Sequence, residues 1–180
     1  MTYLPRLAAP YLVASLWVAL VAPTAHATNY AFSQGGYSGG GSITGTFTGS
    51  DNNLDGQIAS FAGEVTAFSL SFSGDSIVPN FTHSLADLFG LVYDVGSPFI
   101  GDGSSGAVEG MATNFFGVVG FNYASGLGPT LGFGGRVNDI TTGAVSSTSA
   151  LITVVPEPST YALFAVGITF LAGRKFTQRA

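Results

Sequence analysis

The sequence predicts an all-β fold, either an antiparallel β-sandwich or a barrel-like domain. Apolar and polar residues alternate over short runs, and clusters of Gly, Asn, Asp and Pro separate these runs. The clearest run covers residues 67–73, where Phe68, Leu70 and Phe72 face one side of a strand and serines face the other. Several short strands at this spacing are typical of a sandwich or barrel.

The same alternation predicts the other elements in order. Further strands are expected at residues 42–48, 89–95, 107–112, 116–123 and 144–154, with a helical turn at 84–88. In the first of these strands, Ile43, Gly45 and Phe47 share one face. The glycine content also allows a loose coat polymer, but 15 Phe in the chain are too many for a disordered segment.

The N-terminal residues 1–27 have the order of a secretory signal peptide. Arg6 supplies the positive start, residues 11–22 form an apolar helix, and Ala25-His26-Ala27 is a cleavage site for signal peptidase. Cleavage there makes Thr28 the first residue of the mature chain. The alternative is an N-terminal anchor helix that is not cleaved.

The C-terminal residues 156–180 combine three features in a fixed order. These are the stiff tripeptide Pro156-Glu157-Pro158, the uncharged run 161–172, and the basic residues Arg174, Lys175 and Arg179. The run is short for a membrane span, which needs about 20 apolar residues. The basic end stays on the cytoplasmic side, which places the tripeptide at the outer face of the membrane. The alternative, a helix packed on a soluble core, conflicts with a run that is apolar on all sides.

This order resembles the PEP-CTERM sorting signal of Gram-negative bacteria. Pro156, Glu157, Pro158 and Ser159 match the motif without a gap, while the basic end at Arg174 and Lys175 is less dense than is common. The resemblance implies that exosortase, a transpeptidase-like membrane enzyme, recognises the tripeptide and processes the protein. It also implies three parts: a signal peptide at 1–27, a secreted acidic β-domain at 28–155, and a sorting signal with a short transmembrane helix at 156–180.

The charge balance of residues 28–155 limits the class of partner. This region contains nine acidic residues and one basic residue, Arg136, so its net charge is −8. Such a surface has no basic patch for phosphates, which excludes nucleic acid as an expected partner. The absence of cysteine from the chain excludes disulfides and thiolate metal sites.

One acidic segment matches the first half of a calcium-binding loop. The expected ligands are side-chain oxygens of Asp51, Asn53 and Asp55 and the backbone carbonyl of Gln57, with Gly56 at the bend and Ile58 as the apolar anchor. The loop's twelfth position is Ala62, and the acid arrives two residues later, at Glu64. The alternative is an Asx-rich β-turn between two strands, without an ion.

These patterns predict a secreted or cell-surface protein that is anchored transiently in the inner membrane. The resemblance implies a structural or adhesive role, in the cell surface or the exopolysaccharide matrix of a biofilm, with signal peptidase, exosortase and exopolysaccharide as partners. No enzyme activity and no cofactor are expected, because the G-x-S-x-G match at residues 36–40 lacks its strand and helix, and His83 stands alone in the mature chain. The alternatives are a calcium- or glycan-binding module and, behind it, a hydrolase.

Overall fold

Two antiparallel sheets of six strands each make up the fold, which confirms the all-β prediction. The computed structural model describes residues 27–103, 109–126 and 134–157. The first sheet contains, in spatial order, β5 (Phe81–Ser84), β4 (Val65–Phe72), β2 (Ile43–Gly49), β1 (Thr28–Gln34), β12 (Ile152–Pro156) and β7 (Phe99–Ile100). The second contains β11 (Val145–Thr148), β10 (Gly135–Asp139), β9 (Phe121–Ser125), β8 (Gly110–Thr113), β6 (Leu88–Asp94) and β3 (Gln57–Ala59). Two short 3₁₀ turns lie at Ser60–Ala62 and Leu85–Asp87.

Aromatic side chains join the two sheets at the centre of the core. The ring of Tyr30 on β1 stacks on Phe47 of β2, with centroids 4.7 Å apart. Both rings then meet Tyr93 of β6 edge to face, at 5.2 and 5.7 Å. Edge-to-face contact suits the charge distribution of aromatic rings, and each such pair contributes about 0.5–1.5 kcal/mol beyond the area it buries. The interior between the sheets is therefore filled by aromatic packing.

A buried glutamine links the sheets through hydrogen bonds. The amide nitrogen of Gln34 donates to Ser125 Oγ at 2.9 Å and to the carbonyl of Ala150 at 2.7 Å. Its carbonyl oxygen accepts from the hydroxyls of Tyr37 at 2.7 Å and Tyr123 at 2.8 Å. Burial raises the pKa of both tyrosines, so both hydroxyls remain donors at neutral pH. All four hydrogen-bonding positions of this amide are thus occupied.

The alternation of apolar and polar residues predicted the positions of some strands closely. The run at 67–73 lies in β4, where Phe68, Leu70 and Phe72 are buried as expected. The run at 42–48 lies in β2, where Ile43 and Phe47 are fully buried. The expected helical turn at 84–88 is the 3₁₀ turn Leu85–Asp87, closed by a capping box between Ser84 and Asp87.

Other strand predictions were wrong in extent. Residues 144–154 form two strands, β11 and β12, which belong to different sheets. Residues 116–120 form turns, and β9 begins only at Phe121. A bulge between Leu88 and Gly90 turns Phe89 outward, so it does not share the buried face of Leu91. Strands β1, β3, β5, β7 and β10 were not predicted.

The two flanking helices that the sequence predicts lie outside the described residues. Those helices fall within residues 1–26 and 158–180. In the part of the chain that the structure does describe, no helix has the length and apolar character needed to cross a bilayer.

Replacing Gln34 by Leu tests the hydrogen-bonded link. The change leaves the hydroxyls of Tyr37 and Tyr123 without their acceptor in the interior, and each orphaned group costs about 1–3 kcal/mol. We expect the free energy of unfolding, measured by urea titration of the purified protein, to fall by about 2–4 kcal/mol. Thr44→Ala, on the exposed face of β2, is the control and should change stability by less than about 0.5 kcal/mol. Equal stabilities of the two variants would contradict a structural role for the network.

Candidate processing site and acidic end

The predicted calcium loop is held by hydrogen bonds to its own backbone. The carboxylate of Asp51 accepts from the backbone N–H groups of Asp55 at 3.1 Å and Gly56 at 2.9 Å. The side-chain oxygens of Asn53 and Asp55 accept from N–H groups two residues ahead, at 3.0 and 2.8 Å. The bonds accepted by Asn53 and Asp55 form Asx turns, which stabilise the loop backbone without requiring an ion.

Two other features of the loop agree with the sequence pattern. Gly56 has φ of 87°, a left-handed conformation that favours glycine, so it forms the expected bend. Ile58 is fully buried in β3 and anchors the end of the loop. The side-chain amide of Gln57 donates a hydrogen bond to Asp94 Oδ1 at 2.8 Å, which connects the loop to the end of β6.

Glu64 closes the loop from inside the fold. Its carboxylate is 1% exposed and accepts from the N–H groups of Asn52 at 2.9 Å, Asn53 at 3.3 Å and Ala59 at 2.9 Å. The sequence pattern treated this acid as a displaced calcium ligand and missed its role as the acceptor for the loop backbone. The signal was an acid directly before the strand β4, close in sequence to the loop whose N–H groups it accepts.

Within the described ranges, no group of three or more His, Asp and Glu side chains is arranged to hold a metal ion. The loop brings together two carboxylates and one amide, Asp51, Asp55 and Asn53, and all three are at least partly exposed. Carboxylate oxygens have several acceptor positions each, so these groups retain capacity for a weakly bound cation. The calcium prediction therefore remains open to measurement.

A buried carboxyl group near this loop was not singled out by the sequence. Glu109 precedes β8, is 2% exposed, and neither of its oxygens makes a hydrogen bond of good geometry within the described residues, although the backbone of Gly101 and Asp102 lies close to it. Burial, followed by the charges of Asp94 and Asp102, raises its pKa to about 6, and backbone groups of Gly101 and Asp102 offset part of the rise. Together with the loop, these side chains make one end of the sandwich acidic; we call this the acidic end (Asp51, Asp55, Asp94, Asp102, Glu109).

The two side chains that the sequence offered for a serine hydrolase, Ser38 and His83, make different contacts in the described part of the chain. Ser38, in the G-x-S-x-G match, lies 3.1 Å from the hydroxyl of Ser146. His83 on β5 is half-buried, with Nδ1 at 2.6 Å from Thr113 Oγ1, and burial lowers its pKa. Ser38 and His83 therefore have separate partners.

The tripeptide predicted for sorting begins inside the fold. Pro156 is the last residue of β12 and pairs with Tyr30 of β1. The backbone N–H of Glu157 donates to the carbonyl of Asn29 at 2.8 Å. On the other side of β12, β7 pairs only with Ile152 and Thr153, so Pro156 has a neighbouring strand on one side. Pro158, Ser159, Arg174 and Lys175 lie outside the described residues.

Both predicted processing points lie at the same end of the sheet. Thr28, the expected new N-terminus, begins β1 and pairs with Gly49, and Ala27 before it is exposed. Because β12 runs antiparallel to β1, its last residue lies beside the first residues of β1. The acidic loop follows Gly49 directly, so it also lies at this end. Ala25 falls outside the described residues.

Comparison with known proteins identifies the tail. The family model described as the PEP-CTERM protein-sorting motif matches residues 154–177. The chain carries a PEP-CTERM sorting motif. Such a motif marks an exported protein that an exosortase membrane enzyme processes. Neither a curated protein nor a solved structure matched the chain.

The PEP-CTERM match overlaps strand β12 by three residues, 154–156. The match starts at Val154, a buried residue of β12 whose N–H donates to the carbonyl of Pro98 at 2.8 Å. The described domain therefore includes the first two residues of the PEP tripeptide, and the sequence-based boundary between 155 and 156 falls within a strand.

A calcium titration separates the two interpretations of the acidic loop. We expect no shift in the melting temperature of the purified protein at several millimolar calcium, because the twelfth position of the loop is Ala62 and supplies no carboxylate. Asp55→Ala should lower stability by about 1 kcal/mol through lost turn hydrogen bonds, with or without calcium. An ion site would behave differently: a tenfold excess of calcium over its Kd adds about 1.4 kcal/mol, and the double change Asp51→Ala with Asp55→Ala removes that gain.

Glu109→Gln tests the buried carboxyl group. Its folded-state pKa of about 6 lies above the ordinary 4.5, so the folded state binds the proton more tightly. Binding of that proton therefore contributes to the free energy of unfolding. This contribution is fully present below pH 4.5 and is lost as the pH rises through 6. We expect the variant to melt a few degrees above the native protein at pH 7.5 and at the same temperature at pH 4. Asp55→Asn, which removes an exposed acid, is the control, and an identical pH profile for Glu109→Gln and the native protein would overturn the assignment.

Proposed function

We propose that this protein is a structural or adhesive component of the cell surface or exopolysaccharide matrix. It is exported with a cleaved signal peptide, held briefly in the inner membrane by its tail, and released when exosortase cuts at the PEP motif. The single observation that carries the proposal is the match at residues 154–177, which begins within the folded strand β12.

The position of the motif supports processing of an already folded domain. Pro156 pairs with Tyr30 of β1, the N–H of Glu157 donates to the carbonyl of Asn29, and Val155 is 58% exposed beside them. An enzyme that binds an extended peptide loses less entropy when the segment is already ordered. The side of Pro156 that faces away from β1 has no strand partner among the described residues, which leaves room for such an enzyme.

The surface chemistry supports a matrix role over binding of nucleic acid. The region 28–155 carries a net charge of −8, with one basic residue. A strong net charge keeps a protein soluble and separate from its neighbours, which suits diffusion into a hydrated polymer after release.

Blocking recognition of the PEP motif tests the proposal. In a Gram-negative host that contains exosortase, we expect the native protein to appear outside the cell without residues 161–180. Glu157→Ala should instead remain in the inner-membrane fraction with its tail attached. Intact-mass measurement of each fraction gives both termini, and Thr28 is the expected N-terminus.

The matched control is Asp55→Ala, which removes an exposed acid at the same end of the domain but outside the motif. It should be processed and released like the native protein. Extracellular protein that still contains Arg179 and Ala180 would contradict processing, and protein confined to the periplasm after correct cleavage would contradict the matrix role.

A further inference from the structure

The outer face of the second sheet carries a cleft that the sorting function does not use. On β9 and β10, Asn122 pairs with Asn138, and Ala124 pairs with Arg136, so these four side chains form a block on the face away from the core. Together with Phe115, from the turn between β8 and β9, they line a cleft of about 260 Å³. This volume suits one or two sugar rings better than a drug-sized molecule, whose sites span about 300–1,000 Å³.

The positive charge in this cleft is isolated. Arg136 is the only lysine or arginine between residues 28 and 155. Its cross-strand neighbours are Ala124 on β9 and Ser147 on β11, and neither side chain carries a charge. The guanidinium is exposed and presents a planar fork of donors, which matches a carboxylate in two parallel hydrogen bonds.

An unsatisfied acceptor lies in the same cleft. The side-chain oxygen of Asn138 is buried and has no hydrogen-bond partner among the described residues. Leaving such a group unpaired costs about 1–3 kcal/mol, and a hydroxyl group from a ligand would remove that cost. The facing amide of Asn122 adds donors and an acceptor beside it. The cleft is therefore suited to a ligand with several hydroxyl groups.

Beside the cleft, phenylalanines form a continuous cluster, which we call the aromatic ridge (Phe61, Phe89, Phe115, Phe116). The rings of Phe89 and Phe115 stack at 5.3 Å, and Phe116 meets both edge to face at 5.0 and 5.1 Å. Phe61 contacts Phe89 at 5.9 Å. A Cβ at Gly90 would come within 2.9 Å of the Phe61 ring, so glycine at this position lets the ring lie against the strand.

The ridge is apolar surface that faces water. Phe61 is 72% exposed and Phe116 is 76% exposed. Contiguous apolar patches of this kind, bordered by polar residues, mark binding surfaces in soluble domains. The face of each ring carries partial negative charge and attracts the C–H groups on the apolar face of a sugar.

From this juxtaposition we propose that the cleft binds a uronic acid unit of an acidic polysaccharide. The carboxylate pairs with Arg136, the hydroxyls bond to Asn122 and Asn138, and the apolar face of a sugar ring lies on Phe115. Because a net charge of −8 repels a dense polyanion, a single cation suits a polymer whose carboxylates are separated by neutral sugars. It does not suit nucleic acid, which requires several phosphate contacts. This inference rests on the proposed matrix role, because it names the class of polysaccharide that the same domain would bind there.

The test uses matched pairs of ligands on the purified exported protein. A panel of oligosaccharides containing glucuronate, galacturonate or mannuronate is compared with the same oligosaccharides after reduction of each carboxyl to an alcohol. By calorimetric titration, we expect at least one acidic member to bind about tenfold more tightly than its reduced counterpart. Arg136→Gln should remove that difference and leave the affinity of the reduced form unchanged. Phe115→Ala should weaken both forms.

Thr44→Ala, on the exposed face of the other sheet, is the control and should bind like the native protein. Thermal unfolding of each variant confirms that Arg136→Gln and Phe115→Ala remain folded, as their positions at the surface lead us to expect. Equal affinity for acidic and reduced ligands, retention of the difference in Arg136→Gln, or absence of binding across the panel would each overturn the inference. Cell fractionation reads out the proposed matrix role separately, because localisation of the native protein does not depend on these titrations.

Discussion

Insertion of the last strand between the first strand and β7 is the constraint on which the rest of the fold depends. β12 occupies an interior position of the first sheet, and the short β7 joins that sheet only through it. Ile152 and Val154 of β12 are buried in the core, at 0% and 3% exposure. The first sheet is therefore incomplete until β12 is in place. Because the PEP-CTERM match begins within this strand, the segment that completes the sheet is also the segment that leads into the sorting motif.

The alternation of apolar and polar residues predicted the fold class and the best strands, but it could not predict how strands are distributed between sheets. An alternation with a period of two residues indicates that one face of a strand is buried, as in β4. It carries no information about which strand pairs with it. β11 and β12 read as one run because no Gly or Pro separates Thr148 from Ile152. β10 was missed because Arg136 and Asn138 on its outer face leave only Val137 as a clear apolar signal.

The same limit applies to the candidate sites. Residues that are contiguous in sequence were predicted, and residues that meet only in the folded sheets were not. The PEP tripeptide and the acidic loop are contiguous in sequence, so the residue order alone identified them, including the bend at Gly56. The partners of Glu64 and the cleft residues come together only through loop geometry and cross-strand register. Phe115 and Arg136 are separated by 21 positions in the sequence and line one cleft because β9 and β10 pair with Asn122 opposite Asn138. No spacing rule expresses such a pairing before the register is known.

The sorting motif and the proposed binding cleft lie on different sheets, so the proposed anchoring and the proposed binding would use separate surfaces. The strand that leads into the sorting motif lies in the first sheet, beside the acidic loop, whereas the cleft and the aromatic ridge lie on the outer face of the second. The end that carries the motif also carries Asp51, Asp55 and Glu157, and anionic lipid headgroups repel such a surface. If processing removes the tail as proposed, this charge opposes a return of that end to the membrane. Arg136 lies on the other sheet, away from the strand that leads into the motif.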